Sequence, residues 1–445
     1  MKRVTLLLVF AVCLASLAAA AEERAGYIEY KEYKLDNGLR VVLSEDHSVP
    51  VVAVNIWYHV GSANEDPGRS GFAHLFEHMM FEGSENVGKT EHFKYVTNAG
   101  GIVNGSTTQD RTNYFEVLPS HRLNLGLWLE ADRMRSLVVT NEKFENQRET
   151  VKEERRQGVD NQPYGKAFLV ADTLAFDYLP YTHTVIGRMA DLDAARAEEV
   201  QAFFDKYYTP SNAVLVVVGD LDPAKTMKMV EDYFGDIPGG TAIPKLKGTE
   251  PINKGERRSV VDSPKANVPA LFLGFNTPES ANGDTPALEL LGKILFDGES
   301  SRLHKRLVKD EEAAFAVFGF YDGRLGPSLL RIIAAANAGV DIDVSERLLY
   351  EEIEKIQKEG ISDEELSKAK VKFKTEFIQN RQTVMGKAEA IQSYVFFYNE
   401  LARINRDLDD YMKLTKDDIA RVANKYLGKD NRTVVIALPP QKETS

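Results

Sequence analysis

Apolar residues along this chain recur with two periods, and the switches between them mark out its elements. Leu39 to Leu43 and Val51 to Trp57 are rich in β-branched residues and flank the polar turn Ser44–Pro50, which predicts two strands. A helical pattern follows over 71–81 and stops near Gly83. A more polar strand pair is expected over 101–119, then helices over 121–136 and 141–157. The fully apolar run Val214 to Val218 predicts a buried strand, followed by a helix over 223–234.

Past Pro238-Gly239-Gly240 the pattern restarts. Ala270 to Phe275 predicts a strand, and 284–296 a helix at the position of the earlier 71–81 helix. Val434 to Leu438 echoes Val214 to Val218, and each run follows a related word, Lys206-Tyr207-Tyr208 and Lys425-Tyr426-Leu427. The expected fold is α+β: two homologous sandwich domains arising by duplication, each a mixed, mostly antiparallel sheet packed with helices. They are placed at 27–240 and 255–440, joined by a linker at 241–254.

The N-terminus changes the picture. Lys2 and Arg3 precede an apolar run from Val4 to Leu17 and the alanines 18–21, the form of a secretory signal peptide over residues 1–20. The run falls short of the ~20 residues that span a bilayer, so no stable membrane anchor is expected. The expected location is the periplasm or the exterior. The one cysteine, Cys13, lies within this leader, which excludes disulfides, thiolate nucleophiles and thiolate metal sites in the mature chain. The net charge of -12 and the lack of a basic block argue against nucleic acid as a partner.

The chemistry concentrates in His74-Leu75-Phe76-Glu77-His78. Two histidines four apart on a helix project from one face and can share one Zn²⁺. Glu77, one step from His78, is badly placed to ligate the same ion but well placed to act as general base on a water beside it. H-x-x-E-H is the inverted zincin signature. A catalytic zinc needs a third protein ligand. On the helix over 141–157, Phe144 and Val151 define the inward stripe; Glu154 lies near it and Glu153 opposite. Glu154 is therefore the expected third ligand, as an inward carboxylate is costly unless paired or bound to metal. One Zn²⁺ per chain is implied.

These residues, with Leu35-Asp36-Asn37-Gly38-Leu39, the stretch 100–107 and Val151-Lys152-Glu153-Glu154-Arg155-Arg156, make the chain similar to the pitrilysin/insulinase family. It resembles the short two-domain branch that includes the mitochondrial processing peptidase. The resemblance spans nearly the whole mature chain and implies a zinc metallopeptidase acting on unfolded or short peptides. It places a glutamate ligand about as far past the second histidine as the 154 − 78 = 76 residues seen here. It also implies that Asn104, Gly105, Ser106 and Thr107 lie on a sheet edge that holds the substrate peptide in extended form.

Two positions depart from the family pattern. Gln147 stands where another glutamate is common. Val308 and Phe315 stand where an Arg/Tyr pair helps to grip the substrate, and neither side chain can donate a hydrogen bond. A homologous partner subunit supplying that pair is expected, in a heterodimer or else a homodimer. The competing expectation is a non-catalytic peptide-binding or assembly subunit, against which the intact H-x-x-E-H residues weigh.

Overall fold

The computed structural model describes residues 26–243 and 254–440. The leader at 1–20 lies outside these residues, as does all of the linker at 241–254 except its ends. In the first half the order is β1 (Lys31–Lys34), β2 (Arg40–Glu45), β3 (Val51–Tyr58), α1 (Phe72–Met79), α2 (Glu91–Asn98), β4 (Ile102–Thr107) and β5 (Thr112–Pro119). There follow α3 (Leu123–Ser136), α4 (Asn141–Arg155), α5 (Gly165–Leu174), α6 (Met189–Ala194), α7 (Ala197–Tyr207), β6 (Ala213–Gly219) and α8 (Pro223–Phe234). The second half runs β7 (Arg257–Asp262), β8 (Ala270–Thr277), α9 (Thr285–Leu295), β9 (Ala314–Asp322), β10 (Ser328–Ala336), α10 (Ile342–Glu359) and α11 (Asp363–Gln379). It ends with α12 (Val384–Ser393), α13 (Asp407–Lys413), α14 (Lys416–Tyr426) and β11 (Arg432–Leu438).

The expected α+β architecture is present. One six-stranded sheet is ordered β1-β2-β6-β3-β5-β4 and one five-stranded sheet β7-β11-β8-β10-β9. From β2 and β7 onward the two orders correspond strand for strand. In each, only the pair next to that start is parallel, β2 with β6 and β7 with β11. The duplication extends to side chains: Asn212 Nδ2 donates to Tyr207 O at 2.8 Å, and Asn431 Nδ2 to Tyr426 O at 2.7 Å. Each amide ties the end of a helix to the strand that follows it.

Strand β6 shows why the run Val214 to Val218 is apolar throughout. All of β6 is buried, because both faces of the sheet are covered. Leu215 and Val217 face the main core of the first half, built on α1, α3 and α7. Val214, Val216 and Val218 face the other way, onto Val384, Ala388 and Ile391 of α12, which belongs to the second half. The exchange is reciprocal. Ala167 and Ala171 of α5 cover Ala270, Phe272, Val435 and Ala437 of the second sheet. Polar bonds reinforce it: Gln392 Nε2 donates to Asn55 O and Val214 O at 3.0 and 2.9 Å.

Candidate metal centre

Helix α1 is short and tightly bounded. Gly71 precedes it at φ +93° and Gly83 follows at φ +103°, where a side chain would be strained. A Cβ on Gly83 would sit 2.5 Å from Val87 O. The buried Glu65 carboxylate caps the free amides at the helix start, accepting from Ala73 N at 2.7 Å and Gly71 N at 3.0 Å. Phe72, Leu75, Phe76 and Met79 are buried, so the sheet holds one face of the helix and His74, Glu77 and His78 lie on the other.

Glu154 meets the two histidines. Its Oε2 lies 3.6 Å from His74 Nε2 and 3.4 Å from His78 Nε2. These separations are long for hydrogen bonds. They match the ~3.3 Å between ligand atoms that share a tetrahedral zinc at bond lengths of ~2.0–2.1 Å. The three residues form a group able to hold a metal ion, and their donor set suits Zn²⁺. Glu154 was expected to point toward the core. Its side chain is instead 50% exposed, on the rim of the site, because the histidines it faces lie at an opening between α1 and α4 rather than beneath the helix.

Without a metal, the two histidines are pushed in opposite directions. Burial and the neighbouring His78 depress the pKa of His74 to about 4, which leaves a neutral imidazole. Burial opposes charge on His78, but Glu154, Glu77 and Gln147 outweigh it and raise its pKa. The adjacent His78 lowers the pKa of Glu154, against the opposing effect of burial. Burial raises that of Glu77, partly offset by the Thr107 hydroxyl, which donates to Glu77 Oε2 at 2.6 Å.

Behind the ligands stands a layer of which sequence reasoning marked only Gln147. His78 Nδ1 donates to Gln147 Oε1 at 3.2 Å, which leaves Nε2 facing Glu154. Gln147 Nε2 donates in turn to the buried Glu82 Oε1 at 2.7 Å, and Lys89 Nζ lies 3.4 Å from Glu82 Oε2. The carboxylate absent at position 147 is thus present one residue further back. Position 147 lies two helical turns before Glu154, a spacing that was the one available signal.

Of the expected edge residues, Thr107 touches the site, while Asn104, Gly105 and Ser106 extend from it along β4, the outermost strand of the sheet. Arg111 supports this strand: its Nη1 donates to Ser106 O at 2.8 Å, and its guanidinium lies 4.7 Å over the Trp57 ring. A second group, His92, Glu116 and Glu130, also clusters within ligand distance, but it is fully buried and Arg133 already pairs with Glu130. Val308 packs beside the second core, and Phe315 stands 57% exposed on β9.

The architecture is that of a two-domain M16-like peptidase. A protease from Helicobacter pylori superposes with a TM-score of 0.89 at 31% identity, over 93% of this chain and 100% of that one. The periplasmic protease PqqL from Escherichia coli shares the fold at a TM-score of 0.75 and 17% identity, over 92% of this chain and 47% of that one. In sequence, the chain is 31% identical over 432 residues to the zinc protease PqqE of Helicobacter pylori, covering 96% of this chain and 97% of that protein. The profile for Insulinase (Peptidase family M16) matches residues 40–182, and that for the Peptidase M16 inactive domain matches 194–373. The chain belongs to the insulinase family, peptidase family M16.

Proposed function

We propose that the chain is the zinc-bearing subunit of an endopeptidase or oligopeptidase that hydrolyses unfolded or short peptides. The observation that carries this is the convergence of His74, His78 and Glu154 at zinc-ligand separations, beside a glutamate fixed by the substrate-edge residue Thr107. His74, His78 and Glu154 would hold a zinc, which would supply Lewis acidity toward a peptide carbonyl. Glu77 would take the proton from the attacking water and pass it to the departing amine. Its Oε2 is occupied by Thr107, so Oε1 is the oxygen available for the transfer.

Strand β4 supplies the binding edge. Thr108 N donates to Arg111 O at 2.8 Å, closing the β4–β5 hairpin. In an antiparallel ladder the pairs alternate, so Val103, Gly105 and Thr107 turn their backbone groups toward the open edge. A peptide added there is held through its main chain, with weak demands on its side chains. The side chains at 308 and 315 offer no donor, which supports a homologous partner that supplies an Arg and a Tyr and works with this chain in the periplasm.

The test is Glu77→Gln in the purified chain together with its partner. Zinc content should stay at one per chain while peptide hydrolysis falls at least about 100-fold. Retained hydrolysis would remove Glu77 from the role of base. Hydrolysis already absent before the change would favour a peptide-binding subunit.

A further inference from the structure

The second half has kept the frame of the metal centre and changed what fills it. Three markers set the register between the halves. Phe81-Glu82-Gly83 corresponds to Phe296-Asp297-Gly298, an offset of 296 − 81 = 215, and both glycines have positive φ. Gly105 of the first edge strand packs on Phe81, and Gly319 of the second edge strand packs on Phe296. Thr140 caps α4 and Ser362 caps α11 through their side chains, an offset of 362 − 140 = 222.

Applied to the ligands, these offsets give one correspondence each. His74 maps to Glu289, His78 to Lys293, Glu77 to Gly292 and Glu154 to Glu376. Lys293 and Glu376 also meet in space, and Glu289 lines the same cavity. Lys293 Nζ donates to Glu376 Oε2 at 2.5 Å and to Asp297 Oδ2 at 2.9 Å, where Asp297 corresponds to Glu82. Glu289 accepts from the Tyr411 hydroxyl at 2.6 Å. Glu289, Lys293, Asp297 and Glu376 together line one cavity of about 450 Å³. Burial works against the ammonium, yet its two carboxylate partners hold the pKa of Lys293 above the ordinary value.

We propose that Lys293 stands as a cation in a second, degenerate copy of the zinc site, its ammonium, together with that of Lys372 at 2.6 Å from Asp297 Oδ1, neutralising carboxylates that correspond to the metal-binding set of the first half. The inference rests on reading the first site as a zinc site. A histidine at 293 would complete a Glu/His/Glu set of the kind that binds zinc. Gly292 offers no carboxyl where Glu77 acts as base, so a metal at this second site would be structural and would not hydrolyse peptides.

The experiment measures zinc per chain, by mass spectrometry after dialysis, in Lys293→His and in Lys293→His combined with His74→Ala and His78→Ala. Two ions per chain in the first variant and one in the second are expected, with no gain in peptidase activity in either. One ion in the first and none in the second would overturn the proposal and leave the first site intact. No zinc in the unmodified chain would instead refute the reading of the first site. If Lys293→His unfolds without metal, recovery of the native melting transition on adding zinc supports the proposal, and no recovery counts against it. Separately, Lys293→Met should lower the melting temperature, and Glu376→Gln in the same chain should restore part of the loss. Strictly additive losses would show that no charge compensation exists.

Discussion

Gln147 is a position where a small change should reach the metal without removing a ligand. Its side chain bridges His78 Nδ1 at 3.2 Å and the buried Glu82 Oε1 at 2.7 Å, so it fixes the tautomer and ring orientation of one ligand. Gln147→Ala removes both bonds. Loss of such a partner typically costs 10–100-fold in metal affinity, about 1.4–2.8 kcal/mol. It also deprives Glu82, 2% exposed, of its closest donor and leaves Lys89 at 3.4 Å, a further cost in stability of about 1–3 kcal/mol. The assay is zinc competition against a graded chelator, with hydrolysis of a quenched peptide followed in parallel. Excess zinc should restore most of the activity, because Glu77 and Glu154 are untouched. Gln147→Glu should not help by itself, because it replaces a donor with a second carboxylate 2.7 Å from Glu82. Combined with Glu82→Gln, it rebuilds a donor–acceptor pair and should recover wild-type affinity or better. A zinc affinity unchanged within twofold in Gln147→Ala would refute the idea that this pair orients His78.

Three further outcomes follow from the geometry. Thr107→Val keeps the shape but removes the hydroxyl on Glu77; kcat should fall about 10-fold or more with zinc content and KM nearly unchanged, and Thr107→Ser should restore it. Ile391→Ala empties a fully buried site beneath the first sheet and should cost about 2–5 kcal/mol in denaturant melts; hydrogen exchange should rise in β3 and β6, and a loss confined to the second half would contradict the packing. Asp284, held by Lys425, Arg421 and Tyr426 against the opposing effect of burial, has its pKa lowered from 3.8 to about 2. A depressed carboxyl pKa stabilises the fold above pH ~4 and loses that contribution as the pH falls toward 2; Asp284→Asn should therefore cost up to about 2 kcal/mol at neutral pH and flatten the acid limb of stability against pH.

The local elements of the first half could be read because period and composition agree there. The helix expected over 223–234 is α8 to the residue, and Val214 to Val218 sits inside β6. His74, Glu77 and His78 were legible because their spacing on one helix is itself the geometry, and helical phase singled out Glu154. What could not be read was which surface each element meets. The small apolar residues of α5 and the apolar face of α12 show that something is covered, but nothing local says that each covers the sheet of the opposite half. At Gln147 the departure from the family's glutamate was visible, but not whether another residue supplies the carboxylate, for the same reason. Only the fold brings Glu82, 65 residues away in sequence, behind it.

That exchange of helices bears on why a half without the H-x-x-E-H residues persists. Glu154 lies in the last turn of α4, and the chain continues through the π-helical turn Arg156–Asp160 into α5. Such turns are rare and recur at functional sites. Helix α5 is then fixed on the second sheet by Ala167 and Ala171 and by the Tyr164 hydroxyl, which donates to Val268 O at 2.9 Å. The third ligand thus hangs from a helix whose continuation is anchored in the second half, while His74 and His78 are anchored in the first. Removing the second half would also uncover Val214, Val216 and Val218, each worth about 1.5–3 kcal/mol of burial. The second half therefore acts as part of the metal site's scaffold, and its own degenerate site, balanced by Lys293, lets it do so without a metal of its own.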